Sequence, residues 1–335
     1  MKFLILGGGP AGIAAAKTVR KAKADAEIQI VTDEKVAPYL RPLMPDFILG
    51  DATAENTLDP EGKELQAKKI KIAYGRAAVR LDTGNRKVEF SDGTVEGYDR
   101  LLVATGGKCA VPEVLQIKSP MIQSFDFWKD AIAIKELAAR PGPAVVYGPG
   151  YLAIEACRAL RKAKREVVWI QPNKPRHGYP IAGELEASIL DDVRNRGARI
   201  KDGDEIVEVK EMGSDALRVL TKHGEVITTS LIVVATERVP TVGFLAGSGV
   251  ATGKGVLVDE YLQTSAPDIY AAGDCAEFKD KKTGESRVNF GWRSAIKQGQ
   301  LAGENMAGGK KRFGGNPEDY FWALFSSSPE DRGKK

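Results

Sequence analysis

With 335 residues, 43% of them hydrophobic and 28% charged, the chain is long enough for two hydrophobic cores, since one core commonly serves about 100 to 200 residues. No apolar run approaches the roughly 18 residues of a membrane-crossing helix, which excludes a membrane span. The formal charge of +4 is dispersed, and Lys68-Lys69 and Lys310-Lys311-Arg312 read as solvated faces rather than a nucleic-acid surface.

In chain order, Lys2 to Leu6 reads as a first β-strand. Its apolar run is too short for a signal peptide and Gly7-Gly8-Gly9-Pro10 follows at once, so a cytoplasmic protein is expected. An Ala-rich helix and a strand from Glu27 to Val31 complete a βαβ unit. About 140 residues later the same setting recurs. Ala144 to Tyr147 reads as a strand, Gly148-Pro149-Gly150-Tyr151-Leu152-Ala153 as a turn into a helix ending near Lys164, and Glu166 to Ile170 as the next strand.

Lys87 to Phe90 and Ala216 to Leu220 alternate as strands, each before a turn, and read as β-meanders added to the parallel sheets. Arg140-Pro141-Gly142-Pro143 marks the entry to the second unit, and Gly247 to Gly255 its exit. The expected fold is α/β, with two Rossmann-like three-layer domains, each a parallel sheet plus β-meander. Residues 111–249 form the second domain, inserted into a first made of 1–110 and 250–335.

Cys109, Cys157 and Cys275 lie far apart, without C-x-x-C or metal-ligand spacing, and the only histidines, His177 and His223, have no ligand partner nearby. Neither a disulfide framework nor a metal site is expected.

The glycines carry the chemistry. A phosphate needs several N–H donors converging on it, and a helix N-terminus supplies them with the positive end of the helix dipole. In Gly7-x-Gly9-x-x-Gly12 the first glycine allows the tight turn, the second lets a pyrophosphate touch backbone, and the third lets helix and strand pack closely. The following strand ends in Thr32-Asp33-Glu34, where an acid accepts hydrogen bonds from ribose hydroxyls; Asp33 is the first choice and Glu34 the alternative. The second fingerprint, Gly148-x-Gly150-x-x-Ala153, leads to Gln171, which carries no charge to repel a 2′-phosphate, with Lys174, Arg176 and His177 close enough to attract one. That favours NADPH and leaves NADH open.

These residues resemble the two-dinucleotide pyridine nucleotide-disulfide oxidoreductase superfamily. The marks are Gly7-Gly8-Gly9-Pro10-Ala11-Gly12, Ala104-Thr105-Gly106-Gly107, Gly148-Pro149-Gly150-Tyr151 with Glu155, and Asp268-Ile269-Tyr270-Ala271-Ala272-Gly273-Asp274. Pro38-Tyr39-Leu40-Arg41-Pro42 and Leu301 to Met306 are similar to the branch of rubredoxin and ferredoxin reductases, nitrite reductase flavin domains and apoptosis-inducing factor.

The resemblance implies FAD in the first domain and NADH or NADPH in the second. Arg41 and Pro42 would lie along the FAD pyrophosphate and flavin ring, Ala78 or Val79 would meet the adenine, and Ala104, Thr105 and Gly106 would cover the cofactor. Gly273 and Asp274, the latter at the start of a helix, would hold the ribityl chain or a phosphate-linked oxygen, and Phe290, Gly291 and Trp292 would sit near the flavin. Tyr151, Leu152 and Glu155 would face the nicotinamide side, Tyr151 and Glu155 as catalytic groups.

The departures from the family also carry expectations. The redox cysteines of disulfide-reducing members are absent after the second strand, which reads Tyr39-Leu40-Arg41-Pro42-Leu43-Met44-Pro45. Asp46 stands near where relatives place a lysine that pairs with the equivalent of Glu155, and Glu237 replaces a glycine. Relatives continue into a C-terminal dimerisation domain, whereas this chain reaches Lys335 with an apolar cluster, Tyr320 to Phe325, that packs on its own core or docks onto another subunit.

The implied function is hydride exchange between NAD(P)H and FAD, with single electrons passing to or from an iron-sulfur or rubredoxin/ferredoxin-like protein, alone or within a hetero-oligomeric complex. Lys279, Lys281 and Lys282 could steer an acidic carrier. Two alternatives remain: an electron-relay or assembly subunit with a vestigial nicotinamide site, and a sulfide or persulfide oxidoreductase working through Cys109 or Cys275.

Overall fold

The computed structural model describes residues 1–172, 190–279, 284–288 and 290–314. The labelled elements are β1 (Lys2–Leu6), α1 (Pro10–Ala22), β2 (Glu27–Val31), α2 (Met44–Leu49), β3 (Lys71–Ala73), β4 (Arg100–Val103), β5 (Ile122–Ser124), α3 (Trp128–Ala138), β6 (Ala144–Tyr147), α4 (Tyr151–Lys162), β7 (Val167–Gln171), β8 (Ala198–Asp202), β9 (Ile232–Val234), β10 (Ile269–Ala271) and α5 (Trp292–Met306).

The chain forms two compact units. One comprises Met1–Leu40, Leu58–Lys108 and the chain from Val239 onward; the other comprises Arg41–Thr57 and Cys109–Arg238. Residues 41–57 pack with the second unit, whereas a linear boundary at 110 leaves them in the first, and the return falls at Val239 rather than at 250.

In the first unit five parallel strands run in the order β10-β4-β1-β2-β3. β1 is an unbroken apolar run because both of its faces are covered. Phe3 and Ile5 pack with α1 and α5, in a core that includes Ala16, Val19, Ala302 and Met306. Leu4 and Leu6 point the other way, with Leu101, Val103 and the meander residues Val88 and Phe90. The sheet is therefore the middle of three layers, as the fold class requires.

The second unit repeats the order as β8-β7-β6-β9-β5, again all parallel. β1 and β6 are equivalent central strands, each flanked by its following strand and by β4 or β9. The outermost strand differs in origin: β10 comes late in the chain, β5 comes before its own unit's central strand. Antiparallel meanders accompany both sheets, Ala78–Asp82, Lys87–Phe90 and Val95–Gly97 in one and Ile206–Met212, Ala216–Thr221 and Val226–Thr229 in the other. No helix among the described residues is long and apolar enough to cross a membrane.

One local expectation is corrected. Asp274 does not begin a helix; Ala276 N–H closes a turn onto Gly273 O at 3.0 Å, and Ala276–Lys279 continues as a strand. Pairing with Val256–Leu257 on one side and Ser286–Val288 on the other gives this segment, buried from Ala276 to Phe278, more backbone bonds and burial than a solvated helical turn would. Lys281, Lys282, Lys174, Arg176, His177 and the cluster Tyr320 to Phe325 lie outside the described residues.

Candidate functional site

At the end of β1 the chain turns through Gly7, whose φ is +119° and whose N–H donates to Val31 O at 2.8 Å. A Cβ on Gly7 would lie 2.1 Å from Ala104 O, and one on Gly12 would lie 2.0 Å from Gly7 O. Packing within the protein demands both glycines. Gly9 is different: its φ is −80°, and a Cβ there would meet no heavy atom within 4 Å. It caps α1, with Pro10 and Ala11 opening the helix, no side-chain cap, and no acidic residue in the first turn. A helix N-terminus without side-chain cap or acid, fronted by a space the protein does not fill, suits a diphosphate.

The first unit also contains other residues expected at the cofactor. Asp33 is exposed just past β2, whereas the Glu34 carboxylate accepts the Tyr39 hydroxyl at 2.9 Å. Ala104 N–H bonds Leu6 O at 2.8 Å, Thr105 Oγ1 donates to Thr241 O at 2.7 Å, and Gly106 takes a φ of +64°. Ala78 begins a meander strand and Val79 is half exposed beside it. Gly273 N–H donates to Gln298 Oε1 at 2.9 Å, and Asp274 Oδ1 accepts Gly291 N–H at 3.2 Å, just before Trp292 opens α5. Gln298 is fully buried. The only sequence signal for it is a glutamine on the otherwise small-residue face Ala295, Gly299, Ala302.

The second unit repeats the construction. Gly148 has a φ of +139°, its N–H donates to Ile170 O at 3.1 Å, and its carbonyl accepts Trp169 Nε1–H at 2.9 Å. A Cβ on Gly148 would lie 2.2 Å from Ala235 O, the counterpart of Ala104 O, while one on Gly150 would meet nothing within 4 Å. Tyr151 and Leu152, both half-buried, open α4, which again has no side-chain cap and no acid in its first turn. Gln171 ends β7 and is 2% exposed; because Gly7 and Gly148 bond Val31 O and Ile170 O, it corresponds to the buried Thr32, and Pro172 falls where the first unit has the exposed Asp33. Glu237, three residues after β9, is exposed.

Glu155 is buried one turn into α4, and its Oε1 accepts Arg158 Nη1–H at 2.9 Å. Asp46 is buried on α2, in the same unit. Arg41, which opens a 3₁₀ turn with Pro42, stacks its guanidinium 4.8 Å from the Phe127 ring centroid and donates through Nη1 to Asp126 O at 2.8 Å. Asp126 escaped the sequence reading, as did Asp130, whose Oδ2 accepts Phe127 N–H at 2.9 Å at the start of α3. Both lie in Phe125-Asp126-Phe127-Trp128-Lys129-Asp130, where acids interspersed with aromatics pass for an ordinary half-exposed strand.

All three thiols are held in the protonated form. Burial pushes Cys275 up to about 11 and raises Cys157 as well. Cys275 Sγ–H donates to Val103 O at 3.3 Å. Burial also raises Cys109, against the opposing hydrogen bond with Thr236 Oγ1 at 3.1 Å. A nucleophilic or relay thiol needs the thiolate, which these surroundings disfavour.

Residues 1–302 match the family described as pyridine nucleotide-disulphide oxidoreductase. The chain is 30% identical over 315 residues to NADH-rubredoxin oxidoreductase of Clostridium acetobutylicum, covering 92% of this chain and 75% of that protein. It is 28% identical over 309 residues to subunit epsilon of the NADH-dependent phenylglyoxylate dehydrogenase of Aromatoleum evansii, covering 92% and 72%. A chain of the covalent putidaredoxin reductase–putidaredoxin complex shares the fold with a TM-score of 0.85 and 25% identity, covering 92% of this chain and 75% of that one. A match that runs from β1 into α5 takes in both glycine-lined helix starts and the elements that shape them; the chain belongs to the pyridine nucleotide-disulphide oxidoreductase family.

Proposed function

We propose that this protein is an FAD-dependent NAD(P)H oxidoreductase exchanging electrons with a small iron-sulfur or rubredoxin-like protein. The observation that carries the reading is the open space before the second glycine of each fingerprint, Gly9 and Gly150, beside first glycines that the protein's own packing demands. Bound FAD supplies the chemistry, taking a hydride equivalent from the nicotinamide and releasing electrons one at a time.

The first unit would hold FAD. The N–H groups of Gly9, Ala11 and Gly12 face the diphosphate, with Pro10, which has no N–H, setting the first turn of α1, and Asp33 binds the ribose while Tyr39 occupies Glu34. Ala78 and Val79 border the adenine; Ala104, Thr105, Gly106, Gly273, Asp274, Gly291 and Trp292 border the rest, with Gln298 fixing the Gly273 amide. Arg41 and Pro42, which the family resemblance assigns to the FAD pyrophosphate and flavin ring, belong to the second unit, where Asp126 orients the arginine.

The second unit would take the nicotinamide dinucleotide at Gly148, Gly150 and Leu152, with Tyr151 and Glu155 shaping its reactive end. Gln171 places no charge against a 2′-phosphate, which supports NADPH beside NADH. The relation to proteins named as NADH-rubredoxin oxidoreductase and putidaredoxin reductase supports the class of partner. Burial of Cys109 and Cys275 argues against a thiol relay.

A second reading, a flavoprotein subunit of a larger redox complex, draws on the relative named as a dehydrogenase subunit and on Glu237, which stands where the family has glycine. Anaerobic titration of the FAD-loaded protein distinguishes them: the first expects bleaching by NADH or NADPH, and a flavin left oxidised by both refutes it.

A further inference from the structure

The chain passes between the two units four times, at 40/41, 57/58, 108/109 and 238/239. Three of the four residues at which it enters or leaves the second unit are bound to one side chain. Arg41, the first residue of the 41–57 excursion, donates through Nη1 to Asp126 O at 2.8 Å, with Asp126 Oδ1 3.2 Å away. Arg238, the last residue before the return, donates through Nη1 to the same Oδ1. Cys109, the first residue of the long insertion, donates its backbone N–H to Oδ2 at 2.8 Å.

Asp126 is 3% exposed and is itself fixed by the sheet. Phe125 N–H donates to Val234 O at 2.8 Å, continuing the β5–β9 pairing past the strand ends. The outgoing and incoming strands are also tied together, with Ala110 N–H donating to Glu237 O at 2.9 Å and Thr236 Oγ1–H to Ala110 O at 2.6 Å. A buried carboxylate that neutralises two arginines and accepts a main-chain amide in a nearly dry site holds its partners far more firmly than a surface pair does.

We propose that Asp126 is a positioning residue that clamps three chain crossings to the second unit, and that hydride exchange between the two nucleotides depends on this clamp. The dependence on hydride exchange rests on the two-nucleotide reading above; the clamp does not. Hydride transfer is sensitive to misplacement of the reactants by about 1 Å, and the crossings are the covalent links between the unit carrying one nucleotide and the unit carrying the other. Loosening them lowers the rate of the chemical step more than the capture of nicotinamide.

The test uses the FAD-loaded full chain with Asp126→Asn, which keeps an acceptor for Cys109 N–H but discards the charge, and Arg238→Gln as a milder variant. Hydrogen exchange measured by mass spectrometry is expected to rise together in the peptides containing Arg41, Cys109 and Arg238. In rapid-mixing experiments the limiting rate of flavin bleaching by NAD(P)H should fall about 10-fold, with the half-saturating NAD(P)H concentration changed by less than about 2-fold. Exchange unchanged, or raised in one peptide alone, overturns the clamp in either variant. Coordinated exchange with an unaltered bleaching rate keeps the clamp and overturns its role in hydride exchange, and absence of bleaching in the parent protein points instead at the two-nucleotide reading.

Discussion

Gly7 and Gly9 are two residues apart in one motif and serve different masters. Gly7 answers to the protein, since a methyl group there collides with Ala104 O and the φ of +119° strains any L side chain; Gly9 has an ordinary extended backbone and nothing in front of it. Gly7→Ala is therefore expected to destabilise the fold by about 2 kcal/mol or more. Gly9→Ala should leave urea unfolding within about 1 kcal/mol of the parent yet weaken FAD binding about tenfold, because its methyl group stands where the diphosphate would lie. Parallel unfolding and FAD titrations check both, and the idea fails if Gly9→Ala binds FAD normally. For the thiols, a Cys109→Ser, Cys275→Ala double variant is expected to reduce its flavin with NAD(P)H at the parent rate; loss of that activity would restore the thiol relay.

Among the elements, α3 shows how a cap can oppose itself. Asp130 anchors the first turn by accepting Phe127 N–H, but burial pushes its carboxyl up to about 6, only partly offset by that hydrogen bond. A folded-state value above the unfolded one means that the folded form holds the proton more tightly. The associated stability is then fully present below about pH 4 and is lost as pH rises towards 6. Asp130→Asn keeps an acceptor for the amide without the charge. It should raise stability at pH 8 by on the order of 1–2 kcal/mol and flatten the profile between pH 4 and 6, as followed by denaturant unfolding across pH. An unchanged slope would show that Asp130 titrates normally. In the first unit α1 and α5 pack through small residues: a Cβ on Gly299 would lie 2.1 Å from Ala11 O, so α5 rests against the first turn of the helix that carries Gly9.

The whole molecule is a repeat whose pieces are interleaved. The insertion of 109–238 is readable from the order of motifs, but the small excursion of 41–57 is not, because it is held by side-chain contacts with residues far away in sequence. Phe47 lies 4.4 Å from the Trp128 ring centroid, Lys135 Nζ donates to Phe47 O at 2.8 Å, and Met44 and Ile48 are buried. A fragment of residues 109–238 without 41–57 should consequently fail to unfold cooperatively, since each of these apolar side chains is worth roughly 1.5–3 kcal/mol when buried. A sharp thermal transition in that fragment would show that α2 is dispensable.

By itself the sequence determined the two βαβ units, the strand limits Lys2–Leu6, Glu27–Val31 and Ala144–Tyr147, and the identity of the glycines before α1 and α4. These are local matters, governed by an apolar run buried on both faces and by a turn that tolerates no side chain. Only the tertiary structure decided that Asp274 sits in a turn before a strand, that Gln298 fixes the Gly273 amide, and that Asp126 gathers Arg41, Cys109 and Arg238. Those contacts join residues between 17 and 112 positions apart. Their energy depends on which surfaces close over them, and no local pattern of residues encodes that.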